Sequence, residues 1–263
     1  MHPSVERADA AIAEGHSLED EGLLSDALDR YREALVIAPT YPRALLNVGN
    51  ALRLLHRHAE AETAFREALR HDRDYAPAYF NLGTLLAVDG DYNGAKECLH
   101  EALRLQPDMV GRVLDAESFL LFSSSLRGDL DPQTLAEEHF RVGAAIAHAA
   151  GPPFTTWPNA PDPGRKLRVG YVSGDFAPHP VAVFLRPMLQ HYDRGQFDVY
   201  CYSNTPAENP IAASFRPLVT YWRDIWGVDD QTVVDHIRDD AIDILLDLNG
   251  HTERNRLAVF ARH

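Results

Sequence analysis

The chain has 263 residues, enough for two domains that each bury a core. Its 39 acidic against 25 basic side chains give a formal charge of −14, which argues against a nucleic acid or an anionic membrane held by general electrostatics. The opening MHPSVERADAAIAEG has acids and no apolar stretch, and no apolar run reaches membrane-span length, so neither a targeting peptide nor a membrane helix is expected and the protein is placed in the cytoplasm.

From Ala8 the chain repeats every 34 residues through three copies without a gap. The eighth position is Gly15, Gly49 and Gly83, and the twentieth is Ala27, Ala61 and Ala95. The twenty-fourth is Tyr31, Phe65 and Leu99, and the twenty-seventh is Ala34, Ala68 and Ala102. Small residues recur where two helices approach closely, and a large apolar one recurs where a helix fills its neighbour's gap. This is the tetratricopeptide pattern, which stacks helical hairpins into a solenoid whose first helices line the concave side and bind extended peptide. Asn47 and Asn81, at the sixth position of the second and third copies, are candidates for that groove, since an amide both donates to and accepts from a peptide backbone. Pro39 and Pro107 close two copies; the second has Arg73 there, which weakens its expected helix stop.

Beyond Pro107 the period fails, but VGRVLDAESFLLFSSSL and DPQTLAEEHFRVGAAIAHAA keep helical spacing and are expected to cap the solenoid and dock it on the next domain. His139 and His148, on the second of them, read as packing or surface histidines. GPPFTTWPNAPDPGRK then breaks helix and marks a border. The expected domains are helical repeats over 1–150, a linker over 151–165 and an α/β lobe over 166–263.

KLRVGYVS reads as a first strand, PVAVFLRPMLQHYD as a helix and FDVYCYSN as a second strand. NPIAASFRPLVT follows as irregular helix, YWRDIWG as a short strand or loop, DDQTVVDHIRDD as a helix, AIDILLDLNG as a fourth strand and NRLAVFARH as the start of a helix. Strands alternating with helices mean a parallel Rossmann-like sheet. If the first and fourth strands are neighbours, as in the common doubly wound order, a crevice opens between their loops, SGDFAPHP and DLNGHTERN. Asp175, His179, Asp247, Asn249, His251 and Thr252 would then form a polar set suited to a sugar or a nucleotide sugar. Pro178 and Pro180 hold His179 rigidly at a strand end, where a neutral imidazole could take a proton from an attacking hydroxyl. The loop has no G-x-G-x-x-G and the chain no Walker phosphate loop. No histidine pair has ligand spacing, and Cys98 and Cys201 match neither a metal knuckle nor a redox pair.

Tetratricopeptide repeats followed by LRVGYVSGDFAPHPVAVFLRP, FDVYCYSN and IDILLDLNGHT resemble the protein O-linked N-acetylglucosamine transferases and their plant relatives of the SPINDLY type, over essentially the whole chain. The resemblance implies a GT-B glycosyltransferase whose amino-terminal lobe is residues 166–263. It implies inverting transfer of N-acetylglucosamine from UDP-GlcNAc to Ser or Thr of a protein acceptor, with no metal or other cofactor. His179 matches the family's cleft histidine, a base or positioning group. Asp175, Pro180, Asn249, His251 and Thr252 are the candidate substrate-binding positions. An asparagine ladder would correspond to Asn47 and Asn81, short here because Ala13 stands in the first copy. A second lobe is expected after His263 to supply most nucleotide contacts, so that 1–263 alone is expected to be inactive. WRDIWGVDD and DLNGHT look nearer the SPINDLY branch, whose members can transfer fucose from GDP-fucose; that is one alternative, and a non-catalytic repeat scaffold is another.

Overall fold

The 34-residue period becomes three helical hairpins. The structure, a computed structural model, describes residues 3–128, 130–206, 209–252 and 254–263. The hairpins are α1 (Pro3–Asp20) with α2 (Leu24–Ile37), α3 (Pro42–Leu54) with α4 (His58–His71), and α5 (Ala76–Asp89) with α6 (Tyr92–Leu105). Ala27, Ala61, Ala95 and Ala34, Ala68, Ala102 are fully buried, as are Tyr31, Phe65 and Leu99. Each eighth-position glycine faces the twenty-fourth-position side chain of its own copy. A Cβ on Gly15 or Gly49 would overlap the ring edge of Tyr31 or Phe65 at Cε1, and one on Gly83 would lie 2.9 Å from Leu99 Cγ. The glycine is thus the socket for the large side chain of the second helix.

The second helices end at the same phase in all three copies, at Ile37, His71 and Leu105. In each, the next backbone N–H closes on the carbonyl of Ala34, Ala68 or Ala102 at 2.9 Å. The copy with Arg73 therefore stops as sharply as those with proline. There the Asp72 carboxylate accepts the Asp74 N–H at 3.0 Å and organises the turn. After a 3₁₀ turn at Pro107–Met109, α7 (Val110–Arg127) packs on α5 and α6, with Met109 and Val113 buried against Ala76 and Leu99. It caps the solenoid.

The two compact units are Met1–Leu135 and Ala136–His263. The division falls near the start of α8 (Pro132–Ala150), one helix before the Pro-rich segment 151–165 that composition marks as the border. Most of α8 is held by the second unit: Arg262 Nη1 donates to the Ala150 carbonyl at 3.0 Å, and the His139 ring lies 4.9 Å from that of His251. Prolines end the helix, but tertiary contacts decide where it belongs.

In the second unit four strands form one parallel sheet in the order β3-β2-β1-β4: β1 (Leu167–Ser173), β2 (Phe197–Ser203), β3 (Tyr221–Asp224) and β4 (Ile244–Asp247). Residues alternate between faces. Tyr200 and Tyr202 of β2 join a core with Val233, Val234 and Ile237 of α11 (Asp230–Asp239) and Val259 of α12 (Leu257–Phe260). Val199 and Cys201 join the opposite core with Leu185 and Leu189 of α9 (Pro180–His191) and Phe215 of α10 (Pro210–Phe215). Helices cover both faces, and the winding direction reverses between β1 and β4, the neighbours expected. Register places Ser173 opposite Ser203 and Val172 opposite Asp247, so the carboxyl ends of β1, β2 and β4 lie level. Among the described residues no helix is long and apolar enough to cross a membrane.

Candidate active site

The loop after β1 and the loop after β4 meet through one side chain, Asn249. It is 8% exposed. Its Oδ1 accepts the Gly174 N–H at 2.8 Å, and its Nδ2 donates to Asp175 Oδ2 at 2.9 Å and faces Thr252 Oγ1 at 3.2 Å. The amide, with both an acceptor and a donor, thereby ties the two loops across the switch point. Asp247 ends β4 by accepting the N–H groups of Asn249 and Gly250, each at 2.9 Å, so it shapes its own turn. Thr252 closes that turn, its hydroxyl donating to the Asn249 carbonyl at 2.9 Å.

On the β1 side, the Ser173 hydroxyl accepts the Asp175 N–H at 2.9 Å. Phe176 is buried beneath the loop against Phe215 and Trp222. His179 stands at the N-cap of α9 in extended conformation, with Pro180 as the first helical residue, where a missing N–H costs nothing. Its Nδ1 lies 3.3 Å from the Val181 N–H and 3.5 Å from Asp175 Oδ2. The His179 side chain is 42% exposed and the Asp175 side chain 18%. A carboxylate sits beneath an accessible imidazole, the arrangement of a general base with an orienting partner.

The structure thus brings Asp175, His179, Pro180, Asn249 and Thr252 into one constellation. His251 turns instead to α8 and packs on His139. Burial, then the neighbouring His139, hold its imidazole below the ordinary value against an opposing Asp247. Its Nδ1 is buried without a hydrogen-bond partner among the described residues. Glu253 of the same loop lies outside the described residues. Among those described, no group of three or more His, Cys, Asp or Glu is placed to hold a metal ion.

The loop after β2 also contributes. The Asn204 N–H donates to the Ser173 carbonyl at 2.7 Å, Thr205 Oγ1 donates to the Gly174 carbonyl at 3.0 Å, and Asn204 Nδ2 donates to the Arg254 carbonyl at 3.0 Å. Arg256 completes the scaffold, reaching Asp230 at 2.6 Å and Asn204 Oδ1 at 2.9 Å. The signal for these was present, since FDVYCYSNT ends in polar residues at a strand's carboxyl end as β1 does.

In the first unit Asn47 is buried, its Nδ2 bonded to the Arg43 carbonyl at 3.0 Å and its Oδ1 3.2 Å from His16 Nε2. Asn81 is half-buried and donates to Asn50 Oδ1 at 2.7 Å. Each sixth-position asparagine therefore contacts the ninth position of the preceding copy.

The profile described as Glycosyl transferase family 41 matches residues 134–263. Tetratricopeptide profiles match residues 42–75 and 76–109, in the phase read from the sequence. The chain carries tetratricopeptide repeats followed by a glycosyl transferase family 41 region. A solved structure of a Thermobaculum terrenum O-GlcNAc transferase mutant aligns with 100% of the chain at 32% identity and a TM-score of 0.70. Among curated proteins, the probable UDP-N-acetylglucosamine–peptide N-acetylglucosaminyltransferase SPINDLY of Arabidopsis thaliana is 37% identical over 114 residues, 42% of this chain. The similarly named SEC protein of Arabidopsis thaliana is 29% identical over 98 residues, 37% of this chain. The chain covers 49% of the Thermobaculum chain, and the matches reach 12% of SPINDLY and 10% of SEC.

Proposed function

We propose that this chain contributes the acceptor-recruiting repeats and one wall of the catalytic cleft to an inverting protein O-glycosyltransferase. The donor is UDP-GlcNAc and the acceptor a Ser or Thr hydroxyl. The observation that carries the reading is the Asp175–His179 pair at the carboxyl end of β1, beside the β1/β4 switch point, on a chain that opens with tetratricopeptide repeats. His179 Nε2 takes the hydroxyl proton as the oxygen attacks the anomeric carbon. The bond from that carbon to the diphosphate oxygen breaks, and the nucleoside diphosphate leaves with the electron pair. The nucleotide sugar is a substrate, and the reading calls for no resident cofactor.

The acceptor backbone runs along the first-helix face. There the Asn81–Asn50 bond leaves the Oδ1 of Asn81 and the Nδ2 of Asn50 with no partner among the described residues, an acceptor beside a donor. Asn47 supports this face from beneath, as its burial and two contacts indicate. A second reading, fucose transfer from GDP-fucose, is favoured by the higher identity to SPINDLY than to SEC.

The test is mass spectrometry of a protein acceptor pool after incubation with the full-length protein and each donor. An N-acetylhexosamine increment on Ser or Thr from UDP-GlcNAc, lost in His179→Ala, is expected. A deoxyhexose increment from GDP-fucose alone would install the second reading, and no increment from either donor would leave a repeat scaffold.

A further inference from the structure

The His179 Nδ1 is approached by two groups that ask opposite things of it. The Val181 N–H, at 3.3 Å, needs a lone pair there. The Asp175 carboxylate, at 3.5 Å, needs a proton. Both cannot be satisfied at once, and the choice decides what the other nitrogen does. With the lone pair on Nδ1, Nε2 carries the proton and His179 can only donate. With the proton on Nδ1, Nε2 offers the lone pair that a base requires.

The surroundings favour the second state. The Asp175 backbone is fixed by Ser173 Oγ, and its Oδ2 is held by Asn249 Nδ2. Asn249 is in turn pinned by the Gly174 N–H and packed beside Thr252, so the carboxylate cannot swing away from the ring. A small turn of the exposed ring would bring Nδ1 from 3.5 Å into hydrogen-bond range of the carboxylate, and a charge-assisted N–H···O bond outweighs a neutral N–H···N contact. The Val181 N–H is one of the unpaired donors that every helix start presents, and water beside the exposed imidazole can satisfy it.

We propose that Asp175 is a positioning residue that fixes the Nδ1–H tautomer of His179, and that Asn249 acts through Asp175 by anchoring its carboxylate, neither residue being a sugar contact. The inference rests on the glycosyl-transfer reading only for its kinetic consequence, because the tautomer exists without a donor. When Nε2 accepts the hydroxyl proton the ring becomes an imidazolium whose Nδ1–H stays beside the carboxylate, and no proton passes to Asp175.

The experiment is a long-range ¹H–¹⁵N correlation of the histidine rings in the 263-residue protein, with His179 assigned by its disappearance in His179→Gln. The wild type is expected to show mainly the Nδ1–H pattern, and Asp175→Asn to invert it to mainly Nε2–H. An asparagine at 175 has no charge to draw the proton to Nδ1, so the Val181 N–H prevails there, and an unchanged Gly174 amide resonance certifies the loop. Asn249→Ala should shift the tautomer the same way by a smaller amount. A wild-type Nε2–H pattern, or no inversion in Asp175→Asn, overturns the proposal; inversion there with no shift in Asn249→Ala removes Asn249 from it. In the full-length protein Asp175→Asn should lower kcat about a hundredfold with KM unchanged. Inversion with undiminished transfer would sink the base role of His179 while the positioning stood.

Discussion

Two carboxylates sit at opposite ends of β1 and do different work. At the amino end Asp243 accepts from the Arg165 guanidinium, the Arg168 N–H at 2.8 Å and Asn159 Nδ2. The Arg165 hydrogen bonds, with the backbone and amide donors adding to them, hold the Asp243 carboxyl down at about 2. A depressed carboxylate contributes stability that is fully present above the unfolded value, near 4, and is lost as pH falls through about 2. Asp243→Asn should therefore cost about 1–2 kcal/mol at pH 7, allowing for solvent around Arg165, and the gap from wild type should narrow as pH falls from about 4 to about 2. Urea titrations along that series measure it, and a gap independent of pH would show the pair to be bystanders. At the carboxyl end Asp175 spends its charge on an accessible histidine instead. His179 and its partners were legible because strand, break and His-Pro lie within fifteen residues of sequence. The central place of Asn249 was not: its partners Gly174, Asp175 and Thr252 come from two loops some 75 positions apart, and only the pairing of β1 with β4 makes them neighbours.

At the scale of the element, the repeat was readable because each helix must present the same small and large residues to the next at every turn of the period. The Gly49–Phe65 interlock gives this a measurable edge. On an exposed helix, Gly→Ala stabilises by about 1 kcal/mol. At Gly49 the new methyl would clash with the edge of the fully buried Phe65 ring, and overpacking costs about 1–3 kcal/mol. Gly49→Ala should destabilise, and Phe65→Leu in the same chain should recover part of the loss, since the third copy already pairs its glycine with Leu99. Thermal unfolding of the single and double variants decides it; a stabilised Gly49→Ala would mean that the ring moves freely. The affiliation of α8 escaped the sequence for the opposite reason. Proline and glycine content reports where helix ends, while Arg262 and His251, which hold α8, lie more than a hundred positions further on.

Over the whole molecule, the optical probes divide as the two compact units do. All three tryptophans, Trp157, Trp222 and Trp226, lie in Ala136–His263, while α1 to α7 lie in Met1–Leu135. Tryptophan emission therefore reports the α/β unit, and ellipticity at about 222 nm is dominated by the repeats. The units are also built on different stabilising principles. The solenoid sums similar neighbour contacts between successive helices, whereas the sheet closes two cores at once around β1 and β2. A chain of two such units is not expected to unfold in one step. Urea titrations read by the two probes should give transitions that do not superimpose. Gly49→Ala should move only the ellipticity transition, and Asp243→Asn only the emission transition. Coincident curves, with either variant shifting both, would mean that repeats and lobe form one cooperative body, and that a lesion in the repeats reaches His179 through the stability of the whole chain.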